Sequence, residues 1–324
     1  MEILSVWMVA GFLLAAYSVI GNDSVQTLGT FIASNRKFKW YYLWVFTSVI
    51  LIGTLTYSWV GYGGDVSFGR LSKIPYVEVQ WYHVLAPLVL VILTRIGIPV
   101  STSLLVLSAF ASSLVFEKIL LKSAMGYGLA AIVAYILWFA ITKIERKYFA
   151  QHDKKGDEVI SVKWRIFQWC ATGFLWFSWL SHDMANIMVF LPRELSPEML
   201  LGVLSVFVIG LAYIFYQRGG KIQNIVMEKT NVSYVRSATI IDLCYAFLLI
   251  YFKELNSIPM STTWVFIGLL SGRELAIATV QRASYKLTNV FPIVGKDMLK
   301  LLFGLVVSVA IAFFIQNIDS ILPG

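Results

Sequence analysis

The chain has 324 residues, of which 58% are hydrophobic and 14% charged, and its mean hydropathy is +0.75. A soluble domain of that length has no core able to hide so much apolar surface, so the composition defines an integral membrane protein. The formal charge of +8 does not point to nucleic acid, because the basic residues punctuate apolar runs instead of clustering on one reading face.

Apolar stretches of about twenty residues recur from end to end, which predicts an all-α membrane bundle of roughly eight to ten segments. They do not alternate as barrel strands would. The first segment, about Leu4 to Ser34, lacks a basic leader and a cleavage site and reads as a helix instead of a removable signal. A second follows at about Trp40 to Tyr62. After a polar connection come two arms, about Tyr82 to Ile96 and Thr102 to Phe116, that flank Pro99. A further span covers about Tyr127 to Ile144.

Residues 148–162 form a charged cytoplasmic linker between a first repeat, 1–147, and a second, 163–324. The second half repeats the plan at about Trp164–Leu191, Met199–Tyr216, Ser237–Phe252 with Thr262–Ala278, and Leu299–Phe314. Each half crosses the membrane an odd number of times whether the paired arms are re-entrant hairpins or full spans. The expected fold is therefore two inverted-topology repeats with broken first helices and re-entrant helical hairpins. Cys170 and Cys244 lie inside apolar segments and read as small buried hydrophobes.

Charge sets the orientation. With the amino terminus outside, Arg36, Lys37, Lys39, the linker, Arg218, Lys221, Lys229, Arg236, Arg282, Lys286 and Lys296 are cytoplasmic, and only Arg70, Lys73, Lys118, Lys122 and Arg193 remain outside. The expected location is the cell membrane, multi-pass, with both termini outside.

Asp23 and Asp183, Pro99 and Pro259, and Ser101 and Ser261 are each 160 positions apart. One shared offset for two carboxylates and two hydroxyl clusters indicates duplication of a functional unit. A single intramembrane Ser or Thr ordinarily bonds back to its own helix. An intramembrane aspartate costs at least a few kcal/mol when ionised, so it faces a cavity, a cation or a proton path.

Proline ends the first arm, and the serine caps the helix that follows, so free amides and hydroxyls face one gap. That chemistry suits a tetrahedral oxyanion, with Ser101, Thr102, Ser103, Ser261, Thr262 and Thr263 as candidate donors. Asp23 and Asp183 would repel the anion unless cations compensate, which makes them candidate sodium ligands beside Asn22, Gln26 and Asn186. An inside-negative potential opposes anion uptake by about 2.3 kcal/mol per charge per 100 mV, so uptake needs co-transported cations.

At these residues the chain resembles the inorganic phosphate transporter (PiT) family, whose repeats each carry a Gly-x-Asn-Asp-Val-Ala-Asn-Ala and a Pro-Val-Ser-Thr-Thr-His type signature. The matches are Gly21, Asn22, Asp23, Asp183, Ala185 and Asn186, then Pro99, Val100, Ser101, Thr102, Pro259, Ser261, Thr262 and Thr263, with "GGKIQ" from Gly219. The resemblance implies a sodium- or proton-coupled phosphate importer, a homodimer, with the anion on the hairpin hydroxyls and cations at the Asn-Asp pairs. Leu104 and Trp264 replace the family's histidines, Ser103 replaces a threonine, and His182 stands where asparagine is usual. His182 is either a proton carrier or a neutral hydrogen-bonded ring.

Sulfate or another tetrahedral oxyanion is the alternative substrate, and an anion channel the alternative class. An enzyme is not expected, because no catalytic triad, metal cluster or phosphate-loop pattern is present. No cofactor is expected beyond the coupling ions, and the partners are the oxyanion, sodium or a proton, and the bilayer.

Overall fold

A computed structural model of the chain describes residues 4–148, 162–220, 222–227, 235–255, 258–280 and 287–318. Among them lie twelve α-helices and no strand: α1 (Val6–Ser34), α2 (Trp40–Gly61), α3 (Leu85–Arg95), α4 (Thr102–Leu105), α5 (Ser113–Tyr148), α6 (Val162–Asp183), α7 (Ala185–Met188), α8 (Pro197–Tyr216), α9 (Gln223–Met227), α10 (Val235–Leu255), α11 (Thr262–Val280) and α12 (Leu287–Gln316). Seven of them, α1, α2, α5, α8, α10, α11 and α12, are long and apolar enough to cross a membrane. The predicted linker falls outside the described residues except for Tyr148 and Val162, which lie in α5 and α6. Lys221, Lys229, Arg282 and Lys286 of the charge argument also lie outside them.

The two arm pairs differ. At 1.5 Å per residue α3 is only about 17 Å long, whereas α10 and α11 reach about 31 and 28 Å, so the second pair is long enough to span and the first is not. Gly97 closes α3 at φ +80, with the Ile98 amide donating to the Leu93 carbonyl at 3.0 Å, and the chain turns there toward Pro99.

The expected arm through Phe116 is not one helix. It stops at Leu105, continues as a 3₁₀ turn over Leu107–Ala109, and restarts at Ser113 as α5, which absorbs the predicted 127–144 span. Ser108 Oγ donates to the Leu104 carbonyl, which weakens the helical ladder there, and Gln316 Nε2 donates to the freed carbonyls of Ser108 and Ala111 at 3.1 and 3.0 Å. A side chain from α12 thus satisfies backbone that the bilayer interior would leave bare.

The expectation of broken first helices holds for one half only. α1 runs unbroken through Asn22 and Asp23, while α6 ends at Asp183 and α7 begins at Ala185. In α1 the Asn22 and Asp23 side chains find partners in their own helix, in the first hairpin and in Thr263, so the backbone need not open.

Two close crossings hold the bundle: α11 against α5 and α10 against α6. Gly268 and Gly272, one helical turn apart on α11, lie so close to α5 that a Cβ at either would stand 2.4 Å from the Tyr127 carbonyl oxygen or 2.0 Å from that of Ala131. Indole N–H groups tie α2 to its neighbours: Trp44 donates to Val208 at 2.9 Å, and Trp176 of α6 donates to Thr47 at 3.0 Å. Cys244 is buried as expected, but Cys170 is exposed on the outer face of α6, because the apolar run around it faces outward there.

Candidate functional site

The fold brings all twelve predicted site residues into its interior, none more than 4% exposed. Ser101 is extended, at φ −73 and ψ 111, and caps α4, its Oγ accepting from the Leu104 amide at 3.1 Å. Ser261 caps α11 in the same way, accepting from the Trp264 amide at 3.2 Å. Both leave their hydroxyl hydrogen to donate elsewhere.

The next hydroxyl in each cluster turns to a carboxylate. Thr102 Oγ1 donates to Asp23 Oδ2 at 2.7 Å, and Thr262 Oγ1 donates to Asp183 Oδ2. The third crosses to the opposite half: Ser103 Oγ donates to the Met260 carbonyl at 2.9 Å, and Thr263 Oγ1 to the Val100 carbonyl at 3.4 Å. Val100 and Met260 are themselves 160 positions apart, so the offset read from sequence recurs as a matched set of contacts.

Carboxamides join the halves. Asn186 Nδ2 donates to Thr102 Oγ1 at 2.8 Å and to Asp183 Oδ1 at 3.3 Å, which makes a continuous path Asp183, Asn186, Thr102, Asp23. Ser103 also donates to Asn186 Oδ1 at 3.1 Å, and Thr263 to Asp23 Oδ1 at 3.3 Å. Asn22 Nδ2 donates to Asp23 Oδ1 at 2.6 Å and to the Val100 carbonyl at 2.8 Å, while Gln26 Nε2 donates to Asn22 Oδ1 at 2.9 Å. Gln26 Oε1 and Ser24 Oγ, both buried, have no partner among the described residues. Two carboxylates, the Gln26 oxygen and the nearby Val100 and Met260 carbonyls in one buried centre suit a hard cation.

His182 Nε2 lies 2.6 Å from the Leu249 carbonyl, which only accepts, so that nitrogen carries the hydrogen; its Nδ1 has no partner among the described residues. Of the "GGKIQ" stretch, Lys221 lies outside the described residues, whereas Gln223 Nε2 donates to the Gly29 carbonyl at 2.9 Å, docking α9 on α1.

Sequence reasoning missed several residues. Tyr245 Oη donates to the Thr262 carbonyl at 2.9 Å and Ser123 Oγ accepts from the Ser261 amide at 2.8 Å, bracing the second cluster from α10 and α5. Asp242, another buried carboxylate, accepts from Thr30 and Thr172. Arg70 and Lys122, taken from sequence as outer surface charges, are 1% and 5% exposed, and both donate to the Ile258 carbonyl, at 3.1 and 2.8 Å. No local signal separates these two from solvated cations, because their burial comes from distant segments folding over them.

The apolar helices and the buried polar centre define a polytopic α-helical membrane protein. A solved structure described as the sodium-dependent phosphate transporter is similar to this chain at a TM-score of 0.61, with 98% of this chain and 100% of that one covered and 17% of residues identical. No family model matches the chain, and neither does any curated protein.

Proposed function

We propose that the protein is a cation-coupled secondary transporter that imports inorganic phosphate by alternating access between two inverted repeats. The observation that carries this reading is the matched set of contacts at the centre, in which the middle hydroxyl of each cluster bonds its own half's aspartate and the third reaches across to the other half's backbone. The similarity to a sodium-dependent phosphate transporter over nearly the whole chain supports the same assignment.

In this reading Ser101, Thr102, Ser103, Ser261, Thr262 and Thr263 hold the anion. Asn22, Asp23, Gln26, His182, Asp183 and Asn186 couple it to sodium or a proton. Thr102 and Thr262 spend their hydrogens on the carboxylates in the described arrangement, so the anion shares or displaces those bonds. A cation at Asp23 or Asp183 would offset the carboxylate charge beside the anion, which makes the order of binding cation first. Both termini are outside, the protein works in the cell membrane, and a homodimer is its assembly.

Counterflow of labelled phosphate in proteoliposomes tests the proposal. Phosphate uptake that requires sodium or a proton gradient and resists excess sulfate is expected. Uptake of sulfate in preference would move the substrate to that oxyanion, and flux without any cation dependence would make the protein a channel.

A further inference from the structure

Arg70 lies in the 3₁₀ turn Arg70–Lys73 between α2 and α3, yet its side chain is 1% exposed. One nitrogen, Nη2, donates to the Ile258 carbonyl at 3.1 Å, while Nε and Nη1 are buried with no hydrogen-bond partner among the described residues. A buried guanidinium that leaves two donors unmet is costly unless something else meets them.

Lys122 Nζ reaches the same Ile258 oxygen at 2.8 Å, so two cations meet at one carbonyl. Lys253 is close enough to repel Arg70, and its ammonium lies 4.6 Å from the centre of the Phe68 ring. The acidic group acting on Arg70 is Asp183, but no ion pair joins the two, and Asp183 is held by Thr262 and Asn186. Burial pushes the guanidinium down to about 10, with Asp183 opposing the shift, so Arg70 is charged at neutral pH. Ile258 precedes Pro259 directly, which sets this cationic cluster at the mouth of the second hydroxyl cluster.

We propose that Arg70 and Lys122 form a second oxyanion site next to the Pro259 hairpin, in which an unmet Arg70 donor, Nε or Nη1, together with the second Nη2 hydrogen beside it, takes two oxygens of a tetrahedral phosphate dianion before it passes to the serine and threonine hydroxyls. A planar fork with two adjacent donors matches two oxygens of one phosphate, and a neighbouring ammonium adds a point charge. The inference rests on the transport reading for its direction.

Equilibrium binding of radiolabelled inorganic phosphate to the protein in nanodiscs, with saturating sodium, tests it. Arg70→Lys keeps a donor for the Ile258 carbonyl but loses the fork, so the structural role survives and the anion role does not. The expected result is at least tenfold weaker phosphate binding for Arg70→Lys and several-fold weaker binding for Lys122→Gln, with the half-saturating sodium concentration unchanged. Wild-type phosphate affinity in Arg70→Lys overturns the proposal, and where that variant fails to fold, wild-type affinity in Lys122→Gln does so.

A wild-type protein that binds phosphate through Arg70 but accumulates none in proteoliposomes sinks the transport reading and leaves this site standing. Transport with Arg70-independent binding does the reverse. Nanodiscs of phosphatidylcholine alone and with phosphatidylglycerol separate the sources of phosphate: loss of Arg70-dependent binding in the anionic lipid makes a headgroup the occupant and overturns the assignment to free phosphate.

Discussion

Thr102→Val and Thr263→Val separate a coupling hydroxyl from a peripheral one. Both substitutions keep the branched shape and delete a single hydroxyl. Thr102 Oγ1 donates to Asp23 Oδ2 at 2.7 Å and accepts from Asn186 Nδ2 at 2.8 Å, so it links Asp23 to the Asn186–Asp183 pair by two short bonds. Removing a hydrogen bond to a charged group costs about 1.5–3 kcal/mol, and the Asn186 amide retains only a 3.3 Å contact with Asp183. A loss of about 2–3 kcal/mol corresponds to a rise of about 30- to 140-fold in the sodium concentration that half-activates uptake.

Thr263 touches Asp23 at 3.3 Å and Val100 at 3.4 Å, near the outer limit of a hydrogen bond, so its loss is worth about 0.5–1 kcal/mol, or about two- to fivefold. The assay is initial phosphate uptake into proteoliposomes against sodium, with size-exclusion profiles to confirm that each variant is folded. Equal effects, or a larger effect at Thr263, would falsify the claim that the path through Thr102 couples the halves.

Asp23→Asn and Asp183→Asn should each lower accumulation and blunt the cation dependence of uptake; wild-type sodium and pH dependence in both would make the aspartates structural. Lys37 and Glu198 are exposed on the loop after α1 and at the start of α8. In a background lacking Cys170 and Cys244, an impermeant maleimide applied outside should label Glu198→Cys and spare Lys37→Cys, and the opposite pattern overturns the topology. Gly272→Ala forces a methyl to within 2.0 Å of the Ala131 carbonyl and should cost about 1–3 kcal/mol, read as a lower midpoint of thermal unfolding. Gly202→Ala, with nothing within 4 Å, is its control and should unfold no earlier than wild type.

The sequence by itself determined that this is a helical membrane chain, because the bilayer demands long apolar segments and that demand is written locally, residue by residue. It also determined the candidate centre. Carboxylates and hydroxyls are too costly in an apolar run to recur at a 160-residue offset without a use, and all twelve residues chosen on that ground are buried together. Only the tertiary structure decided how the halves differ. α1 stays continuous where α6 breaks, and the arm after Pro99 leaves the helix after Leu105, because partners such as Val100 and Gln316 arrive from segments 78 to 208 positions away. The same holds for Arg70 and Lys122. Sequence places them among outer charges by the local asymmetry of lysine and arginine, whereas their burial on one carbonyl depends on α5 and the Ile258 turn meeting in space, 136 to 188 positions apart, and no local pattern encodes that meeting.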